Sequence, residues 1–143
     1  MTMIASVDAR RSQYVREAVL SATPTRLLTM LYDRLLLDLN RAEAAQEQQN
    51  WGAASEQLLH AQAILAELTS SLKVELWDGA EGLRALYTYV STALIAANTR
   101  KDSARTREAI ALLDPLRAAW HEAAALLGAA SLPAERAAGL HIA

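Results

Sequence analysis

The chain has 143 residues, no cysteine, 52% hydrophobic residues and a formal net charge of −2. That length suits one domain with a buried core, and the missing cysteine excludes disulfides and thiolate metal sites. The near-neutral charge supplies no global field for nucleic acid, and no apolar run reaches the ~18–20 residues that would span a bilayer.

The segment Met1 to Arg10 lacks the basic-then-apolar order of a signal peptide, so a cytoplasmic protein with no membrane insertion is the expectation. Alanine and leucine dominate, phenylalanine is absent, and there are only five glycines and three prolines. Strong helix formers with little turn material predict an all-α protein. Residues 1–22 read as an N-terminal arm with a short helical piece near Ser12 to Leu20. Thr23 and Pro24 then open the first long helix, the threonine as cap and the proline at the first helical position. This helix runs to about Gln46, with Leu27, Leu31, Leu35 and Leu39 on one face beside Leu28, Tyr32 and Leu36.

The polar run Gln46 to Asn50 ends it, and Asn50 can cap the second helix, from Trp51 to about Leu72. There Leu58, Ala61, Leu65, Leu68 and Leu72 recur at the spacing of a helix–helix seam. Asp78 and Glu81 resemble a capping box for the third helix, which presents Leu83, Leu86, Tyr87, Val90 and Leu94 and ends near Asn98. Asp102 or Ser103 caps the fourth, whose apolar face comprises Ile110, Leu113, Leu116, Trp120, Ala124 and Leu127. Asp114-Pro115 predicts a kink inside it rather than an end, because the period resumes in register. Short connections between long amphipathic helices predict an antiparallel up-down four-helix bundle over residues 23–128, with a flexible tail at 129–143.

Catalytic and metal motifs are missing from this pattern. His60, His121 and His141 never follow a glutamate at the spacing of di-iron bundles. Glu56 and His60 can meet on one helix as a solvated pair. No zinc-protease motif, phosphate-binding glycine loop or nucleophile elbow occurs. Neither an enzyme nor a cofactor is expected. Tyr87 and Tyr89 lie two apart and point to different faces, so one can pack while the other is exposed. Trp120 reads as a core anchor.

Several strings, in order, resemble the flagellin export chaperone family, FliS. They are Tyr14; Val19-Leu20-Ser21-Ala22-Thr23-Pro24; Leu27-Leu28-Thr29-Met30-Leu31-Tyr32-Asp33; Ala63-Ile64-Leu65-Ala66-Glu67-Leu68 with Ser71-Leu72; Leu83-Arg84-Ala85-Leu86-Tyr87-Thr88-Tyr89; Ala97-Asn98; and Leu116-Arg117-Ala118-Ala119-Trp120. The match covers about Tyr14 to Leu127, with two departures, a bulkier linker at Glu75 to Gly79 and Pro115 in the fourth helix.

The resemblance implies a cytoplasmic chaperone that needs no ATP. Its client would be the C-terminal segment of flagellin, disordered in the monomer, which it would keep from premature polymerisation and pass to the export machinery. Other flagellar regulators and a homodimer stay open as partners. Candidate client contacts are Tyr14, Met30, Leu68, Leu72, Leu94 and Asn98, with Tyr14, Val15, Val19 and Leu20 as a displaceable N-terminal flap. For the leucines, helical spacing favours the core over the client. Asn98 suits equally a helix C-cap or an amide that bonds the client's backbone. The alternative is a helical, dimerising adaptor unrelated to flagella, which explains the same periodicity.

Overall fold

A computed structural model describes residues 24–72 and 78–142, with side chains as far as Gly128. Four helices occupy them: α1 Pro24–Glu47, α2 Trp51–Ser71, α3 Ala80–Thr99 and α4 Ser103–Ile142. Helix α1 packs on α2 and α4, and α3 packs on the same two, so α1 and α3 face each other across the bundle diagonal. The all-α four-helix bundle agrees with the expectation from periodicity. The Thr23 cap, the piece near Ser12 to Leu20, the flap and the corner at Glu75 to Trp77 lie outside the described residues.

Two tight turns are built alike. After α1 the Asn50 amide donates to the Ala45 carbonyl at 2.8 Å, with Gln49 left-handed at φ 57°. After α3 the Asp102 amide donates to Ala97 at 3.0 Å, with Lys101 at φ 53°. Bonds of this reach close a helix C-terminus and normally favour glycine at the left-handed position. The turns therefore use polar residues where glycine is scarce.

The caps follow the sequence in part. Asn50 Oδ1 accepts from the Ala53 amide at 3.3 Å, and Asp102 Oδ1 accepts from the Ala104 amide at 3.0 Å. Helix α3 begins one residue later than the capping box requires. Its N-cap is Gly79, without a side-chain bond. Glu81 then acts only as a negative charge in the first turn, where the helix dipole favours it. Helix α4 passes through Asp114 and Pro115 without ending. Both residues and Ala111 are exposed, so water can reach the carbonyl that proline leaves unpaired. The helix also outruns its apolar period, to Ile142.

The core comprises Tyr32, Leu35, Leu36 and Leu39 of α1, Leu58, Ile64, Leu65 and Leu68 of α2, and Leu83, Tyr87, Val90 and Leu94 of α3. Helix α4 adds Ala109 and Leu113, while Ile110, Leu116 and Trp120 are only partly buried against it. Leu127, expected on the α4 core face, is 59% exposed. Its helix has by then run past the buried stretch, so among the described residues the same period no longer meets a neighbour.

Candidate binding surface

The proposed contact residues divide by burial and by position. Leu68 and Leu94 are 1% and 0% exposed and belong to the core, the use that spacing favoured. Met30, Leu72 and Asn98 are partly buried, and Leu72 packs against the core just after α2. Tyr14 and the flap residues are outside the described residues. Met30 lies near Tyr32, which touches Tyr87, whereas Asn98 follows Ala97 at the Gln46 end. From Tyr87 to Asn98 is about 16 Å along the helix axis, so Asn98 and Met30 cannot share one small site. The C-cap of α3 is Arg100, which leaves Asn98 inside the helix.

Polar groups that periodicity passes over hold the helices in register. Gln46, read as part of a polar run, is 3% exposed. Its Nε2 donates to the Ala97 carbonyl at 3.2 Å, and its Oε1 accepts from the Thr106 hydroxyl at 2.7 Å. One amide thus ties α1 to α3 and α4. At the other end the Tyr32 and Tyr87 hydroxyls bond each other across the diagonal, and Trp120 lies 6.3 Å from the Tyr32 ring. Burial raises the pKa of both phenols; hydrogen bonds from Tyr87 and Trp120 partly oppose this at Tyr32, while the Tyr32 bond adds to it at Tyr87. Neither phenol ionises at physiological pH.

Two aspartates of α1 make matching contacts on opposite sides. Asp33 accepts from Arg117 Nε at 2.7 Å and pairs with His121 Nε2 at 2.6 Å, joining α1 to α4. Burial alone would raise the Asp33 pKa, but hydrogen bonds and charge from His121 and Arg117 outweigh it and lower the pKa. Asp38 is fully buried, accepts from Arg34 Nε at 3.0 Å and pairs with His60 Nδ1 of α2. By spacing alone His60 can also meet Glu56 on its own helix as a solvated pair. The buried carboxylate on α1 takes it instead, because Arg34 bonds only one of the two oxygens and a buried polar atom needs a partner.

Apolar side chains also remain on the outside. Tyr89 and Ile95 of α3 are 50% and 51% exposed, and Leu59 of α2 is 57% exposed. Tyr87 and Tyr89 therefore separate as predicted, one buried and one outward. Between α3 and α4 a groove of about 230 Å³ is lined by Tyr89, Thr92, Ala93, Ala96, Arg100 and Arg105. Among the described residues no group of three or more acidic or histidine side chains is placed to hold a metal ion. None of the described helices is long and apolar enough to cross a membrane.

Comparison with known proteins agrees with this architecture. The profile of the family described as Flagellar protein FliS matches residues 7–126. The chain is 36% identical over 110 residues to the flagellar secretion chaperone FliS of Escherichia coli, covering 76% of this chain and 81% of that protein. It is 31% identical over 110 residues to the Bacillus subtilis protein of the same name, covering 77% and 82% of the two chains. A crystal structure of a bacterial flagellar chaperone shares the fold at a TM-score of 0.65, with 16% identity over 79% of this chain and 96% of that one. With the bundle, the ordered motifs and a family match over most of its length, the chain belongs to the FliS family.

Proposed function

We propose that this protein is a cytoplasmic flagellar secretion chaperone that binds the disordered C-terminal segment of flagellin. The observation that carries this reading is the family match over residues 7–126, together with relatives named as flagellar secretion chaperones. An amphipathic segment that drives polymerisation must be kept from its own kind. A bundle with apolar side chains on its exterior can cover such a segment by helix-in-groove binding. Ordering the segment consumes several kcal/mol of the interaction energy, which keeps binding reversible enough for hand-over to the export machinery. Binding and release of this kind require no catalysis and no ATP.

Met30, Leu72 and Asn98 are the candidate contacts that a client can reach without opening the core. Leu68 and Leu94 lie in the core, one helical turn before Leu72 and Asn98. Tyr14, Val15, Val19 and Leu20, outside the described residues, are proposed as an apolar flap that the client displaces.

The test is calorimetric titration with a C-terminal flagellin peptide of ~40 residues, enough for two or three helical segments at about 1.5 Å per residue. Saturable one-to-one binding with a negative heat-capacity change supports coupled burial. No heat of binding to a demonstrably folded bundle overturns the reading and leaves a helical adaptor.

A further inference from the structure

Helix α3 is held unevenly along its length. From Tyr87 onward Val90, Ala93, Leu94 and Ala97 are buried, the Tyr87 hydroxyl bonds that of Tyr32, and Gln46 Nε2 holds the Ala97 carbonyl. On the outside the Tyr89 hydroxyl donates to Glu108. From Ala80 to Leu86 only Ala80 and Leu83 are buried, and among the described residues no side chain of this stretch makes a hydrogen bond or ion pair to another helix. The N-cap Gly79 gives the first turn no side-chain bond. Gly82 follows inside that turn, where a Cβ would meet nothing within 4 Å, so packing does not call for glycine. At a helical position glycine shifts the balance toward the unfolded chain by about two- to fivefold relative to alanine.

The place of this weakly held stretch gives it a consequence. Tyr32 meets Tyr87 and Gln46 meets Ala97, so α1 and α3 run parallel, and the tight turn before Trp51 reverses α2 between them. The start of α3 therefore lies beside the end of α2, where Leu68 is buried and Leu72 half-buried. That end of the bundle is loosely closed. Leu28, Leu31, Leu72, Leu86, Leu116 and Trp120 are all only partly buried against the core.

We propose that residues 80–86 form a lid hinged at Tyr87, which leaves the bundle locally while the rest of α3 stays in place, and that the fraction of open lid sets the affinity for the client. The second step rests on the flagellin-binding reading; the opening does not. Lifting these two turns takes Ala80 and Leu83 from the core but breaks neither the Tyr32–Tyr87 bond nor the Gln46 tie. Local openings of this kind arise where few buried contacts hold a segment. Leu68 becomes reachable only when the lid is up, so a client that uses it binds in proportion to the open fraction. Changes in the helix propensity of the lid therefore move affinity in the opposite direction to stability.

The experiment measures amide hydrogen exchange of the full chain at rising urea by NMR, and titrates the same flagellin peptide into it and into two variants. The amides of Leu83 to Leu86 are expected to exchange at least about tenfold faster than those of Val90 to Ala97, with little dependence on urea, as a local opening does. Equal rates and equal urea dependence in the two stretches overturn the lid. Gly82→Ala should slow exchange at Leu83 to Leu86 and weaken peptide binding, each about two- to fivefold, while raising stability. Ala85→Gly, at an exposed position of the same stretch, should lower stability yet tighten binding by a similar factor. A purely structural role for the stretch would leave affinity unmoved. If the natural chain binds the peptide but neither variant changes the affinity, the gating is overturned and flagellin binding stands. If the natural chain does not bind, the flagellin reading and the gating fall together, and exchange alone decides the opening.

Discussion

At the scale of single residues, the buried polar groups make the sharpest predictions. The Tyr32 and Tyr87 hydroxyls bond each other inside the core. Removing the Tyr32 hydroxyl leaves that of Tyr87 without this bond, so Tyr32→Phe should destabilise the fold by roughly 1–3 kcal/mol, the cost of a buried unsatisfied group. The double change to phenylalanine should cost less than the sum of the single changes, because neither hydroxyl then remains to be satisfied. Urea denaturation of the four proteins of that cycle measures the difference. Asp33 makes a different prediction. Its folded pKa lies below the unfolded value, which is about 3.9 for aspartate. The stability it contributes is therefore full above that value and is lost as pH falls through the lower folded one. The side chain is 44% exposed, so the contribution should stay within about 1 kcal/mol. Asp33→Asn should remove this part of the acid dependence, visible as a flatter stability curve below about pH 4.

At the scale of elements, the helices follow local chemistry closely. Leucines at helical spacing, Pro24 at the first position of α1 and Asn50 at the N-cap of α2 predict where helices lie, and the structure places them there. The departures have local causes too. Helix α3 starts at Ala80 rather than one residue earlier, so Glu81 falls a position short of the reciprocal bond that a capping box requires. The turns place Gln49 and Lys101 in left-handed backbone. A side chain there costs on the order of 1 kcal/mol relative to glycine. Gln49→Gly should accordingly raise stability by about 0.5–1 kcal/mol, read as an increase in the thermal midpoint. Lys101 is a poorer choice for the same change, since its ammonium sits over Trp51.

At the scale of the whole molecule, α1 is the hub. It borders α2 and α4, carries Asp33 toward one and Asp38 toward the other, and reaches α3 across the diagonal through Tyr32 and Gln46. A client that docks on the exterior need not disturb this hub, which keeps binding separable from folding. Deleting residues 1–21 should then leave the bundle folded while changing client affinity and increasing hydrogen exchange beneath the flap. Unchanged affinity together with unchanged exchange would dispose of the flap idea.

The sequence by itself determined the helices, most of the core in α1, α2 and α3, and, through the order of its motifs, the family. Those features are local, since spacing along one helix decides which face is apolar. Tertiary structure decided the rest. Leu68 and Leu94 suit a core or a client by type, with the core favoured, and their packed neighbours assign them to the core. Gln46 looks like the polar end of a helix until Ala97 and Thr106 arrive from other helices to satisfy its amide. His60 finds Asp38 rather than Glu56 because Arg34 bonds only one oxygen of that fully buried carboxylate and the other needs a partner. Leu127 keeps the period of α4 but stands exposed, because α4 continues past the stretch its neighbours bury. Periodicity records the face a helix offers; burial depends on whether another element is there to accept it.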